Sequence, residues 1–207
     1  MKSPSKHRVA PEIKTPQPDA TSALLVTDIQ HDFCPGGALA VPGGDAIVPL
    51  VNRYIQFFHQ KSCPVIASRD WHPAGHSSFK EQGGPWPTHC VQGSWGARFH
   101  PSLALPPGCL IISKATDPKQ EAYSAFEGTP LAERLRDLGT DTLYITGIAT
   151  DYCIKNTVLD ACRLGLRVVV LDDAIKGIDA LPGDCERAVE AMKKAGAVFA
   201  KASDLGL

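Results

Sequence analysis

The sequence has no surplus of charge of either sign and no long apolar run. Its 21 Lys and Arg residues stand against 22 Asp and Glu, which gives a net charge of −1. A protein that works mainly on nucleic acid, or on an anionic membrane, carries a basic field, so this balance excludes both kinds of partner. The longest aliphatic stretches, such as 168–171, hold only a few residues, whereas a helix that spans a bilayer needs about 20.

The chain also lacks an even set of cysteines. Seven cysteines are spread along 207 residues, whereas a disulfide framework favours an even count in a shorter, secreted chain. No apolar segment follows Lys2, so we expect no secretory signal. We therefore interpret the cysteines as reduced thiols of a cytoplasmic protein, in which any functional cysteine is catalytic or binds metal.

Residues 1–21 show no hydrophobic periodicity. They contain four prolines among Lys, Ser and Thr, a composition that buries little and predicts a flexible N-terminal tail. Residues 22–207 carry a regular pattern and are predicted to form a single domain.

Short aliphatic runs alternate with helix-length amphipathic segments in the predicted domain. The runs are apolar throughout, which is typical of strands covered on both faces and therefore of a parallel sheet in an α/β sandwich. Helices are predicted where apolar residues recur with a period near 3.6. Strands are expected at 23–27, 64–67, 110–112, 142–146, 167–171 and 198–199, and helices at about 45–60, 131–138, 152–164 and 185–195.

Three side chains that suit nucleophilic catalysis come at or just after the ends of different runs. They are Asp28, Lys114 and Cys153, and the carboxyl ends of parallel strands share one edge, where open α/β folds bind ligands. Cys153 lies where a turn enters a helix, and the N–H groups of a helix start lower a thiol pKa and hold an oxyanion. A carboxylate can take the thiol proton while a lysine offsets its charge. The alternatives are a capping aspartate, a surface lysine and a buried structural cysteine.

The segment 70–108 has no clear period but contains three Trp and four His, and a long segment of this kind favours a functional role. Asp70 and His72 point to the same side of an extended chain, and His76 and His89 follow. This set suits Zn, Fe or Mn, although histidines in loops are often plain surface residues. Trp86 of this segment and Phe33 could contact the two sides of a planar ligand ring, or they could serve only in the packing of loops.

Four sequence segments resemble the nicotinamidase branch of the isochorismatase-like cysteine hydrolases. The resemblance extends from about residue 23 to the C-terminus, and four long motifs in the right order are far more specific than any one of them. The segments are VTDIQHDF (26–33), DWHPAGHSSF (70–79), GGPWPTHCVQG (83–93) and GIATDYC (147–153).

This resemblance implies a six-stranded parallel sheet with helices on both faces, a three-layer α/β/α sandwich, and a role for ten residues. It also implies a cis peptide bond between Ile148 and Ala149 and one divalent metal ion, with Zn the first choice and Fe or Mn the alternatives. His76 occupies a position near the metal and is not assigned as a ligand. The implied roles are a catalytic triad of Asp28, Lys114 and Cys153, an oxyanion hole from the N–H groups of Ala149 and Cys153, ring contacts from Phe33, Trp86 and Tyr123, and metal ligation by Asp70, His72 and His89.

The resemblance further implies that the substrate is nicotinamide. The expected reaction yields nicotinate and ammonia through a thioester, in NAD salvage, and extends to pyrazinamide. The oligomeric state, including a homo-oligomer, stays open. Three alternatives remain: a related amidase for another small amide, a metal-hydroxide hydrolase in which Cys153 is structural, and a binding module with a structural zinc site.

Overall fold

The computed structural model describes residues 16–207. Of the predicted tail, residues 1–15 lie outside the described residues. Residues 16–21 contact the rest of the protein, because the Tyr144 hydroxyl donates to the Pro16 carbonyl at 2.6 Å and the Gln17 amide donates to the Asp204 carbonyl at 2.8 Å. The boundary of the predicted domain at residue 22 stays a prediction.

Six parallel strands form one sheet, which confirms the predicted fold class. Their spatial order is β3-β2-β1-β4-β5-β6, and each neighbouring pair runs parallel. The strands are β1 (Ser22–Thr27), β2 (Val65–Asp70), β3 (Leu110–Lys114), β4 (Thr142–Ile148), β5 (Arg167–Lys176) and β6 (Val198–Ala200), and the α-helices are α1 (Val48–Gln60), α2 (Leu131–Asp137), α3 (Lys155–Arg163) and α4 (Asp184–Lys194).

Two separate hydrophobic cores cover the two faces of the sheet. Successive strand residues point to opposite faces, so Leu24 and Val26 of β1 join the core under α1. Leu25 joins the other core, under α2, α3 and α4. Every residue of β1 is buried, which explains why its inner residues, 23–26, form an unbroken apolar run.

The carboxyl ends of the central strands form one edge, and the polar candidates gather there. β1 is flanked by β2 on one side and β4 on the other, so the direction of the strand order reverses beside it. A ligand crevice opens at such a reversal in α/β sheets. Asp28 directly follows β1, while Asp70 and Lys114 end β2 and β3 and pair in register.

Two elements differ in length from the sequence prediction. β5 continues to Lys176 because its polar residues find partners: the Asp173 carboxylate accepts from the Tyr54 hydroxyl at 2.7 Å and from the Ala202 N–H at 2.9 Å. α3 begins at Lys155 rather than near 152, since Thr150–Ile154 form a wider, π-helical turn first. No helix among residues 16–207 is long and apolar enough to cross a membrane.

Candidate active site

The structure brings the predicted thiol, carboxylate and ammonium together. Lys114 Nζ lies 3.1 Å from Asp28 Oδ2 and 3.4 Å from Cys153 Sγ. Asp28, Asp70 and Cys153 each offer an atom within 4.8 Å of the others. All four side chains are buried, so their charges act on one another with little screening by water.

Burial and neighbouring charges shift the pKa values of the groups in this cluster in opposite directions. Burial alone would lower the pKa of Lys114, but the carboxylates of Asp28 and Asp70 raise it well above its ordinary value. Burial raises the pKa of the Cys153 thiol despite the nearby lysine, and it raises the pKa of Asp28 as well. The thiol therefore rests protonated, in contrast to the lowered pKa expected from a helix start, because the dry surroundings outweigh the helix dipole and the ammonium.

Hydrogen bonds hold the Asp28 carboxylate and both the backbone and the carboxylate of Asp70 in place. The Ser68 hydroxyl of β2 donates to Asp28 Oδ1 at 2.7 Å. The buried Gln30 amide donates to the Asp70 carbonyl at 2.8 Å and accepts from the Asp70 N–H at 2.7 Å. Lys114 also bonds to Asp70 Oδ1 and donates to the Ala122 carbonyl at 3.2 Å. Each charged group therefore has a fixed position before any ligand arrives.

Asp70, His72 and His89 fit a metal ion. Each offers a ligand atom within 4.8 Å of the others, and His72 Nε2 is buried without a hydrogen-bond partner in the described part of the chain. The other ring nitrogens have backbone neighbours, since His72 Nδ1 is 3.2 Å from the His89 carbonyl and His89 Nδ1 is 2.7 Å from the Pro87 carbonyl. Such outer contacts orient metal-binding imidazoles, and burial lowers the pKa of His89, which favours the neutral, ligating ring.

His76 lies beside His72: the two ring centroids are 4.6 Å apart, and His72, His76 and Glu121 each offer a ligand atom within 4.8 Å of the others. His76 Nδ1 is 2.8 Å from the Ser78 hydroxyl, and its Nε2 is 3.2 Å from the Gln120 carbonyl. Glu121 Oε1 lies 3.6 Å from His72 Nε2. Burial alone would raise the pKa of Glu121, but the His72 ring and the Ala122 N–H hold it at about 2. Glu121 therefore adds a negative charge beside the candidate metal ligands.

One cavity connects Cys153 and the candidate metal ligands Asp70 and His89 to solvent. It encloses ≈ 390 Å³ including its open mouth. Seven of the predicted site residues line it: Phe33, Asp70, Trp86, His89, Tyr123, Ala149 and Cys153.

Four further lining residues escaped the sequence analysis: Leu39, Glu121, Tyr152 and Ile178. Tyr152 belongs to the motif at 147–153 and Glu121 lies two residues before Tyr123, so their positions in the sequence are the signal that could have identified them. Leu39 and Ile178 come from separate loops and carry no polar group, so nothing in the sequence marks them.

Aromatic rings form the walls of the cavity. The Trp86 indole N–H donates to the Tyr123 hydroxyl at 3.0 Å, and the Trp86 ring meets Tyr152 edge to face at 5.1 Å. Phe33 packs against the His89 ring with centroids 5.7 Å apart. The Ile148–Ala149 peptide bond, just before the turn that carries Cys153, is cis, as the sequence resemblance implies.

Comparisons with known proteins agree with this architecture. The isochorismatase domain model matches residues 22–204. A nicotinamidase of Escherichia coli is 42% identical over 203 residues, covering 88% of this chain and 95% of the relative.

Solved structures also superpose on the chain. The pyrazinamidase of Pyrococcus horikoshii, crystallised in complex with zinc, has a TM-score of 0.84 and 53% identity, covering 87% of this chain and 99% of that one. PnC1 from L. infantum, in complex with nicotinate, has a TM-score of 0.85 and 34% identity, covering 93% and 98%. The chain therefore belongs to the isochorismatase family of hydrolases, as its four sequence motifs indicate.

Proposed function

We propose that this protein hydrolyses the carboxamide of nicotinamide to give nicotinate and ammonia. The observation that carries the proposal is the position of Cys153 Sγ, 3.4 Å from Lys114 Nζ and on the wall of a small aromatic cavity. A relative named nicotinamidase, 42% identical over most of both chains, supports the same substrate. Pyrazinamide has a similar ring, and we expect it to react as well.

Asp28, Lys114 and Cys153 perform the chemistry in this proposal. Asp28 takes the proton of the thiol, for which its raised pKa makes it a stronger base than an ordinary carboxylate. The resulting thiolate attacks the carboxamide carbon, while the Lys114 ammonium stabilises the negative charge. Asp28 then gives the proton to the departing amine, so the C–N bond breaks and ammonia leaves. In the second half, Asp28 takes a proton from water and the resulting hydroxide attacks the thioester carbon; the C–S bond then breaks, the acid leaves, and the Cys153 thiolate takes the proton back from Asp28.

The oxyanion of each tetrahedral intermediate is held by the N–H groups of Ala149 and Cys153 in this proposal. Ala149 precedes the turn of Thr150–Ile154, and both residues line the cavity. Losing one such donor typically raises the barrier by about 3 kcal/mol. The rigid turn therefore contributes to catalysis through its backbone as well as through the thiol.

The ring of the substrate is positioned by side chains on the cavity wall. Phe33, Trp86 and Tyr123 supply flat or edge-on aromatic contacts for a pyridine ring. Asp70, His72 and His89 would hold a divalent metal ion, with zinc the first choice. When bound, this ion would supply a Lewis acid for the ring nitrogen of the substrate, which would orient the carboxamide. A role in NAD salvage and a cytoplasmic location belong to the same proposal.

An ammonia-release assay on nicotinamide, with and without a chelator, tests this function. We expect release from nicotinamide and pyrazinamide, loss of release after chelation, and its return when zinc is added back. Benzamide has the same carboxamide but no ring nitrogen, so it is the matched control and should react far more slowly. Equal rates on benzamide would indicate a general amidase, and no release from any of the three would refute the proposed substrate class.

A further inference from the structure

Asp151 ties the turn that carries Cys153 to the loop that follows β5. Its side chain is only 4% exposed, yet its partners are not charged side chains. Oδ1 accepts from the Ile178 N–H at 3.0 Å, and Oδ2 accepts from the Asp179 N–H at 2.9 Å. One buried carboxylate thus satisfies two consecutive N–H groups of a loop 27 residues away in the chain.

The loop after β5 is also held in place before and after the two N–H groups that Asp151 binds. A Cβ atom on Gly177 would lie 3.0 Å from Asp151 Oδ1, so the backbone passes directly over the carboxylate. Asp179 then bonds onward, since its Oδ1 accepts from the Cys185 N–H at 3.0 Å, in the first turn of α4. The loop is therefore fixed between the nucleophile turn and α4.

Ile178 connects this arrangement to the cavity. It lines the same cavity as Cys153, and its own N–H is one of the two groups that Asp151 binds. The carboxylate therefore sets the distance between an apolar wall and the sulfur, although it does not line the cavity itself. An apolar wall at a fixed distance from the nucleophile determines how a flat ring can lie before attack.

We propose that Asp151 is a positioning residue that acts through Ile178, holding this wall in register with Cys153. The inference rests on the proposed nicotinamide hydrolysis for its kinetic test, and on geometry alone for a second test given below. Charge-assisted hydrogen bonds to a carboxylate are about twice as strong as neutral ones, which suits a bond pair that must keep a loop still. Asp151→Asn keeps the size of the side chain but replaces one acceptor with a donor that faces an N–H.

The kinetic test is a double-mutant cycle of Asp151→Asn and Ile178→Ala, read on nicotinamide. We expect KM to rise at least about fivefold in each single variant, and the double variant to match the larger single effect, because contacts that act through one another are not additive. KM does not depend on how much of the sample is folded, so a purely structural role would leave it unchanged. Asp160→Asn, which alters only an exposed pair with Arg163, is the matched control and should keep the parent KM.

A second readout does not need the substrate. Loosening the wall should admit iodoacetamide, so the alkylation rate of Cys153, followed by peptide mass, should rise at least about fivefold in Asp151→Asn. If Asp151→Asn does not fold, Asp151→Glu keeps the charge and both acceptors and takes its place in both tests, with smaller shifts in the same direction. If the wild-type protein releases no ammonia, the proposed function is refuted. The alkylation test would still decide whether Asp151 positions the cavity wall. The role of Asp151 would be overturned if Asp151→Asn left both KM and the alkylation rate of Cys153 unchanged. It would also be overturned if the effects of Asp151→Asn and Ile178→Ala on KM multiplied in the double variant.

Discussion

Lys114 is the residue on which the charge balance of the site depends. It is buried between Asp28 and Asp70, and removal of one member of a buried ion cluster leaves the others uncompensated, at a cost of about 3–5 kcal/mol. We predict that Lys114→Met lowers the free energy of unfolding of the metal-free protein by about 3 kcal/mol, measured by urea denaturation. Lys119→Met, at an exposed position, should change it by less than about 0.5 kcal/mol. Equal losses in the two variants would show that the site contains no buried ion cluster.

The candidate ligands His72 and His89 lead to a prediction about metal binding. Each ligand contributes directly to affinity, and even outer partners of a ligand are typically worth about 10–100-fold. We predict that His89→Ala weakens zinc binding by at least about 100-fold, measured by competition with a chromophoric chelator. His59→Ala, on the exposed side of α1, serves as the control and should bind zinc as the parent protein does. Retained affinity in His89→Ala would remove His89 from the ligand set.

At the scale of elements, the junction of β1 and β4 tests how tightly the nucleophile turn is placed. Gly147 has a φ of +119° and lies against Thr27, where a Cβ would overlap the backbone. Gly165, after α3, has a φ of +83° with nothing near its Cβ position. We predict that Gly147→Ala costs about 3 kcal/mol, from strain and overpacking together, and Gly165→Ala only about 1 kcal/mol, from strain. Thermal or urea unfolding measures the loss of stability in each variant. Equal losses would contradict the close contact between Gly147 and the Thr27 backbone.

Elements were predictable from the sequence where local pattern and burial agree. β1 and β4 read as apolar runs because both faces are covered. The second half of β5 was not predictable, since Asp173 is accommodated by Tyr54, a partner 119 residues away. The sequence predicts ordinary helix from about residue 152, whereas residues 152–154 belong to the π-helical turn, because nothing local in the sequence indicates the bond from the Ile154 N–H to the Ala149 carbonyl.

At the scale of the whole molecule, the site and the cores should unfold together. All three Trp residues lie in the segment 70–108, so their fluorescence reports the neighbourhood of the candidate metal ligands, while far-ultraviolet circular dichroism reports the sheet and helices. This segment is bound to the sheet, for example by the bond from the Trp71 N–H to the Lys114 carbonyl of β3 at 3.1 Å. We predict coincident urea transitions from the two signals, as for a single cooperative domain. A fluorescence transition at lower urea would show that the segment folds separately.

The catalytic and metal-ligand candidates and the aromatic wall residues Phe33, Trp86 and Tyr123 were predictable, but the aliphatic wall residues were not. Asp28, Lys114 and Cys153 stand at strand ends, and the parallel sheet brings such ends together. Leu39 and Ile178 reach the cavity only through the folding of two loops, and the raised pKa of Cys153 depends on burial that no motif shows. Chemistry-bearing residues are therefore visible in sequence, whereas the environment that tunes them follows from the packing.

The most direct test of the account is the rate of ammonia release from nicotinamide by Cys153→Ala, measured beside its zinc content. We predict no release above the uncatalysed background, with the same bound zinc and the same urea midpoint as the parent protein, because the sulfur is the nucleophile of the proposed mechanism and belongs to neither the proposed ligand set nor the main core. Release at more than about a tenth of the parent rate, with zinc retained, would show that attack does not come from Cys153 and would contradict the account.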